Sequence, residues 1–232
     1  MKTDNIKIIG FDADDTLWQN MIYFAEIEQN YAKLLSDFIC EDELNKLLFS
    51  TEVRNMDIYG FGVKSFMLSM IETAIKISDY KVSPKAIEKM IDMGQHLLKR
   101  PVVLLDGVKE TVENLSKKYR LIVATKGDLI DQQSKLDRSG LAQYFHHVEI
   151  MSDKNEASYL EMLKHLDIKP NRFLMIGNSL KSDILPVLKI GGHGIHIPFN
   201  ITWQHEYVDP TLIKGLKNYI ELSNITELTK IL

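Results

Sequence analysis

Ile6-Lys7-Ile8-Ile9-Gly10-Phe11-Asp12-Ala13-Asp14-Asp15-Thr16-Leu17-Trp18 is the stretch from which the fold is read. Its first half is apolar and β-branched, which predicts a short buried strand. The strand breaks off at Asp12, Asp14 and Asp15. Three carboxylates at the end of a buried strand repel one another, a cost that a cation or a reaction can offset. Asp12 and Asp14 stand two apart, so on an extended chain their side chains share one face. Such a pocket suits a hard divalent cation such as Mg2+, usually held through one or two carboxylates with waters and phosphate.

Outward from this stretch, the chain of 232 residues can hold one large domain or two smaller ones. With 45% hydrophobic and 26% charged residues, its composition is that of a soluble globular protein. A net charge of −4 leaves no basic footprint, so no nucleic-acid partner is expected. The single cysteine, Cys40, excludes an intramolecular disulfide, and no Cys/His zinc spacing exists. The opening Met1-Lys2-Thr3-Asp4-Asn5 lacks the long apolar core of a signal peptide. No run reaches the ~18 apolar residues of a membrane span. The expectation is a cytoplasmic protein with no membrane partner.

From Leu17 to Val103 the periodicity is helical. Apolar residues recur near helical spacing over Met21–Phe38 and Val63–Ile75, and again after Ser83-Pro84, a cap followed by a first-turn proline. After Pro101 strands and helices alternate. Strands are predicted at Arg120–Ala124, Val148–Met151, Phe173–Ile176 and Gly194–Ile197. Helices are predicted at Gly107–Leu115, Leu129–Leu136, Ala157–Leu166 and Ile184–Lys189. Alternation of this kind argues for an α/β fold with a parallel sheet and helices on both faces. The helical block interrupts it just after the first strand and reads as an inserted domain. In the tail, Leu212–Leu216 reads as a short helix and Tyr219–Leu222 as an edge strand.

In open α/β sheets ligands bind beyond the carboxyl ends of the strands. Those exits supply Asp12 and Asp14, then Thr125-Lys126-Gly127-Asp128, then Ser152-Asp153-Lys154, then Gly177-Asn178-Ser179 with Asp183. Carboxylates, a hydroxyl, ammonium groups and glycines are what a phosphoryl site with a metal needs. His193, His196 and His205 match no zinc spacing and read as structural.

Asp12-Ala13-Asp14-Asp15-Thr16 resembles the DxDxT signature of the haloacid dehalogenase superfamily, most of whose members are phosphatases. The resemblance implies Asp12 as nucleophile and Asp14 as general acid/base. It makes Thr125 the hydroxyl of the second motif and Lys154 the cation of the third; Lys126 and Lys181 are weaker candidates for substrate contact. Gly177-Asn178-Ser179-Leu180-Lys181-Ser182-Asp183 is similar to the fourth motif, GDxxxxD, with Asn178 in place of the first acid. Mg2+ would then be held by the Asp12 carboxylate, the Asp14 backbone carbonyl, Asn178 and Asp183. Asn178 offers only a neutral oxygen, which makes Asp183 the better anionic candidate.

The resemblance further implies a Rossmann-like core of sheet order 5-4-1-2-3, over residues 1–16 and 104–232. Residues 17–103 would be an α-helical cap of the C1 type, which in such relatives shapes substrate choice. The expected function is Mg2+-dependent hydrolysis of a phosphomonoester, on a small phosphorylated metabolite, through an aspartyl-phosphate. Alternatives on the same scaffold are a phosphosugar mutase and a haloacid dehalogenase. A catalytically weakened phosphate-binding regulatory module is the alternative from another class.

Overall fold

The structure, a computed structural model, describes residues 5–232; Met1–Asp4, most of the opening segment read above for a leader, lies outside the described residues. The chain divides into two compact units. One comprises Met1–Met21, Val102–Lys126 and Gln132–Leu232; the other comprises Ile22–Pro101 with Gly127–Asp131.

The first unit is built on a parallel sheet of six strands. These are β1 (Ile8–Phe11), β2 (Arg120–Lys126), β3 (His147–Met151), β4 (Phe173–Gly177), β5 (His193–His196) and β6 (Tyr219–Glu221). Their spatial order is β3-β2-β1-β4-β5-β6, and every neighbouring pair is parallel. The first five strands follow the expected order, and β6 adds a sixth outside β5. Alternate residues of one strand serve two separate cores. Leu121 and Val123 pack with Ile9, Phe11, Leu174 and Ile176 on one face; Ile122 and Ala124 pack with Ile8, Phe173 and Met175 on the other. A strand buried on both faces reads as a continuous apolar run, which is why these strands stand out in the sequence.

Helices cover both faces. Val112 and Leu115 of α5 (Val108–Ser116) and Leu136 of α6 (Leu129–Ser139) join the first core. Tyr159, Met162 and Leu163 of α7 (Glu156–His165) and Val187 of α8 (Leu185–Lys189) join the second. The helix expected from Ile184 is preceded by a wide π-helical turn, Leu180–Ile184, a form frequent at functional sites. The helix expected at Leu212–Leu216 is a 3-10 turn over Pro210–Ile213. Gly215, at φ +76°, turns the chain away from helix there.

β1 lies at the reversal of strand order, with β2 and β3 on one side and β4 to β6 on the other. A crevice forms at such a reversal, beyond the carboxyl ends of the strands. Leu17 and Trp18 are buried in this unit's core, and Trp18 bridges to Leu104. The chain therefore leaves the sheet unit only after Met21 and re-enters it at Val102.

The second unit contains α1 (Met21–Leu34), α2 (Glu41–Tyr59), α3 (Val63–Ile77) and α4 (Pro84–Lys99). Ile27, Tyr31, Leu35, Leu44, Leu48, Phe66, Met70 and Met90 form its core. The Tyr31 hydroxyl donates to the Met70 carbonyl at 2.7 Å, satisfying the one polar atom that this ring buries. Ser83 caps α4 by accepting from the Ala86 amide. Among the described residues no helix is long and apolar enough to cross a membrane.

One buried group in this unit titrates far from its usual range. Glu52 on α2 is 8% exposed. Burial pushes its carboxyl up to about 8 from 4.5, and the half-buried Glu28 of α1 adds to the shift. Between those values the folded chain binds a proton that the unfolded chain releases, so stability falls as pH rises across the window. Glu52→Gln keeps the shape without the charge. The variant should match the parent near pH 4 and exceed it above pH 8, by an amount on the order of a few kcal/mol. Urea unfolding of both proteins at the two pH values measures this; parallel curves would refute it.

Candidate active site

The site is assembled where the strands of the first unit end. Asp12 is the last residue of its segment still held by the sheet: its amide donates to the Ile176 carbonyl at 2.8 Å. Lys154 comes from the loop after β3, and Asp183 from the π-helical turn after β4. The Lys154 ammonium lies 2.5 Å from Asp12 Oδ1 and 2.6 Å from Asp183 Oδ1. The side chains of Lys154 and Asp183 are 1% exposed and that of Asp12 is 10%, so solvent screens this triad little. Two carboxylates face one ammonium, and one negative charge is left over. Burial raises the Asp12 carboxyl to about 7; the Lys154 charge opposes the rise and Asp183 adds to it. For Lys154 burial pulls the other way, but the two carboxylates outweigh it and hold the ammonium above the usual lysine range.

Gly177 allows this approach. A Cβ there would stand 2.2 Å from Asp183 Oδ2, an oxygen that also accepts the Ser179 amide at 3.0 Å. Both oxygens of Asp183 are therefore engaged. Asn178 meets the site through Thr16. The Thr16 hydroxyl accepts the Asn178 amide at 3.1 Å, and lies 3.2 Å from Asp12 Oδ2 and 3.3 Å from Asn178 Oδ1. One hydroxyl proton serves two acceptors, so one of those oxygens lacks a donor. A hard cation fits that pair, whose atoms are a carboxylate and an amide oxygen. Among the described residues no three His, Cys, Asp or Glu side chains form a metal-holding group. That agrees with an ammonium between Asp12 and Asp183.

Asp14 lies in different surroundings. Its carboxylate accepts from the Trp18 indole at 2.7 Å, the Gln132 amide at 2.9 Å and the Lys135 ammonium at 2.8 and 2.9 Å. Asp15, the third carboxylate of the opening stretch, turns away from the triad. It sits at φ +61° and accepts the backbone amides of Asn20 and Met21. Burial raises its carboxyl to about 7, with Asp14 adding to the effect.

Thr125 and Lys126 close β2 rather than following it. The Thr125 hydroxyl accepts from Gln132 at 3.1 Å. Lys126 pairs with Glu206 and donates to the Ser182 hydroxyl at 3.0 Å. Glu206 also accepts from Ser179 and Ser182, which ties the loop after β5 to the fourth-motif segment. Burial alone would raise the Glu206 carboxyl, but Lys126 and the two hydroxyls hold it down at about 2. Lys181 turns to the His205 carbonyl at 2.8 Å. His196 lies 3.0 Å from the Asn178 carbonyl and 3.0 Å from Glu221, a structural placement.

Of the residues singled out in the sequence, Asp12, Lys154 and Asp183 touch directly, and Asn178 joins them through Thr16. Asp14, Thr125 and Lys126 flank that group with partners of their own. Sequence reading gave no role to Thr16, Gln132, Lys135, Ser179, Ser182 or Glu206. Only Thr16 had a signal, its place in the opening motif.

A parallel sheet whose strand ends bring together two carboxylates, a buried lysine and an asparagine defines an enzyme of the haloacid dehalogenase type. The model of the haloacid dehalogenase-like hydrolases matches residues 6–191, and the chain belongs to that family. A haloacid dehalogenase-like hydrolase from Xanthomonas campestris has a solved structure similar at a TM-score of 0.87 and 33% identity, over 98% of this chain and 90% of that one. The glyceraldehyde 3-phosphate phosphatase of Methanothermobacter thermautotrophicus is 34% identical over 93 residues, 38% of this chain and 41% of that protein. The match thus spans about two fifths of that curated relative. The glyceraldehyde 3-phosphate phosphatase of Methanopyrus kandleri is 23% identical over 185 residues, 77% of this chain and 78% of that protein.

The Glu206 network has a measurable weight. Removing one partner of a buried ion pair leaves the other uncompensated. Glu206→Gln should therefore destabilise the fold by about 3 kcal/mol or more at neutral pH. The held-down carboxyl contributes stability above pH 4.5 that is lost as pH falls toward 2. The gap between parent and variant should accordingly narrow in acid. Chemical denaturation at pH 7 and pH 3 tests both statements, and equal stability at pH 7 would refute them.

Proposed function

We propose that this protein is a phosphomonoester phosphatase acting on a small phosphorylated metabolite in the cytoplasm, through a covalent intermediate on Asp12. The observation that carries this reading is the pairing of Asp12 with Lys154 at 2.5 Å, beside a second carboxylate, Asp14, held by three donors of its own. Attacking oxygen, phosphoryl-binding cation and proton carrier are the parts that phosphoryl transfer to a carboxylate requires. The phosphatase names of the curated relatives support the same reaction class.

In this mechanism an Asp12 oxygen attacks phosphorus while the bond to the ester oxygen breaks. Asp14 delivers its proton to the departing alkoxide. It then takes a proton from the water that attacks the aspartyl-phosphate, which releases inorganic phosphate, restores the Asp12 carboxylate and returns to Asp14 the proton it gave up. Lys154 and Thr125 would bind phosphoryl oxygens, with Lys126 near the same strand end. Asp12, Asn178 and the Asp14 carbonyl offer hard oxygens for Mg2+, with Asp183 as the adjoining carboxylate. When bound, Mg2+ supplies positive charge to the transferring phosphoryl group. Asp14 weighs against dehalogenation, since a halide leaves without a proton. A phosphosugar mutase would return the phosphoryl group to sugar, and a binding module would show no turnover.

Chelation should abolish hydrolysis of an aryl phosphate and Mg2+ should restore it; full activity in metal-free buffer would contradict the proposed donor set. Asp12→Asn should form no phosphoenzyme. Asp14→Asn should lose about 10²–10⁴-fold in turnover. With a good leaving group it should still become labelled on Asp12, and keep the label longer than the parent. Rapid mixing with labelled substrate and peptide mapping gives the result. Label on another residue, or undiminished turnover in Asp12→Asn, would overturn the assignment.

A further inference from the structure

The opposite, amino-terminal end of the same sheet holds a pocket of about 800 Å³. Lys7, Lys118, Arg120, Lys164, Lys169 and Arg172 line it, with Asp167 as its one acid. In a chain of net charge −4 this pocket runs against the overall sign. Three of the cations form a row. Lys7 immediately precedes β1, Arg120 opens β2, and Arg172 immediately precedes β4. Backbone hydrogen bonds fix their adjacency: the Lys7 amide donates to the Arg172 carbonyl at 2.9 Å, and the Arg120 amide to the Lys7 carbonyl at 3.4 Å.

Arg120 pairs with Ile8 in the ladder, while Lys7 and Arg172 stand side by side one residue before the Ile8–Phe173 pair; like charges directly opposite destabilise a sheet unless something neutralises them. Among the described residues, Lys7, Arg120, Lys164, Lys169 and Arg172 have no acidic partner; Lys118 donates only to the Leu232 carbonyl at 3.3 Å. A cation just past a helix C-terminus complements the helix dipole. That accounts for Lys118, after α5, and Lys164, in the last turn of α7. It does not account for a row that opens three strands.

The shape of the pocket selects among anions. Strands lie ~4.8 Å apart, so the row spans about 10 Å, more than one phosphate reaches and within reach of several joined in line. Leu166 and Ile168, half-buried, give the pocket an apolar side that a phosphate chain alone leaves uncovered. The volume falls within the ~300–1,000 Å³ of small-molecule sites. We propose that this pocket binds a small organic polyphosphate, a chain of phosphates joined through a sugar to an aromatic base as in a nucleoside triphosphate, with the base's face against Leu166 and Ile168, at a site separate from the carboxylates at the other end of the sheet.

The test is calorimetric titration of the full chain with adenosine 5′-(β,γ-imido)triphosphate at low salt without added metal. Binding should be equal in the parent and in Asp12→Asn. It should weaken by about tenfold or more in the double variant Arg120→Gln with Arg172→Gln, since each removes a charged contact. The double variant should hydrolyse an aryl phosphate at the parent rate and melt no lower, because it relieves repulsion. Inorganic tripolyphosphate should bind more weakly than the nucleotide analogue. The proposal is overturned by no binding at millimolar analogue, by unchanged affinity in the double variant, or by loss of binding in Asp12→Asn. Equal affinity for tripolyphosphate would overturn the part played by the aromatic base, and a lower melting temperature would overturn the repulsion between Lys7 and Arg172.

Discussion

The Lys154 ammonium, set between Asp12 and Asp183, is the interaction on which the site depends. It joins the exits of β1, β3 and β4, three segments far apart in the sequence. Taking three charges out of water is expensive, and replacing such groups by well-packed apolar residues often stabilises a fold. An arrangement that costs stability at the mouth of a sheet is therefore better explained by chemistry than by architecture. The glycine at 177 belongs to the same constraint, because any side chain there would occupy the space of the Asp183 carboxylate.

Two carboxylates only two residues apart are given opposite surroundings. Asp12 is buried, with one ammonium on one oxygen and a shared hydroxyl on the other. Asp14 is more open and receives donors from two directions. The positive φ at Asp15 produces the difference. It ends the extended run, so the chain folds back through bonds from Asp15 to Trp18 and from Leu17 to Ala13. The indole of Trp18 is thereby brought onto Asp14. Distinct environments for neighbouring acids are how one site can hold an attacking group and a proton carrier.

Much of this was legible in the sequence, for physical reasons. Strands buried on both faces appear as unbroken apolar runs, and functional groups follow their carboxyl ends by topology. Asp12, Lys154 and Asp183 could therefore be picked out one strand exit at a time. Lys135, Gln132 and Glu206 could not. The first two lie on a polar-amphipathic helix, and the third in an irregular loop 80 residues from its partner Lys126. Spacing carries no trace of such pairings. The split of residues 127–131 from the rest of the α6 region was equally hidden, since it rests on contacts such as Lys64 with Asp128 at 2.9 Å. The basic pocket escaped too, because its cations are scattered singly and only strand adjacency collects them.

The bond from the Trp18 indole to Asp14 has an optical consequence. The chain holds two tryptophans, and Trp18 is the one sealed in the core, at 1% exposure. Indole emission responds to charge placed against its ring nitrogen. A change in the protonation or position of the Asp14 carboxylate alters that charge directly, at 2.7 Å. The protein thus contains a native fluorophore wired to one carboxylate at the strand ends, with Trp203 in a separate loop as an internal reference.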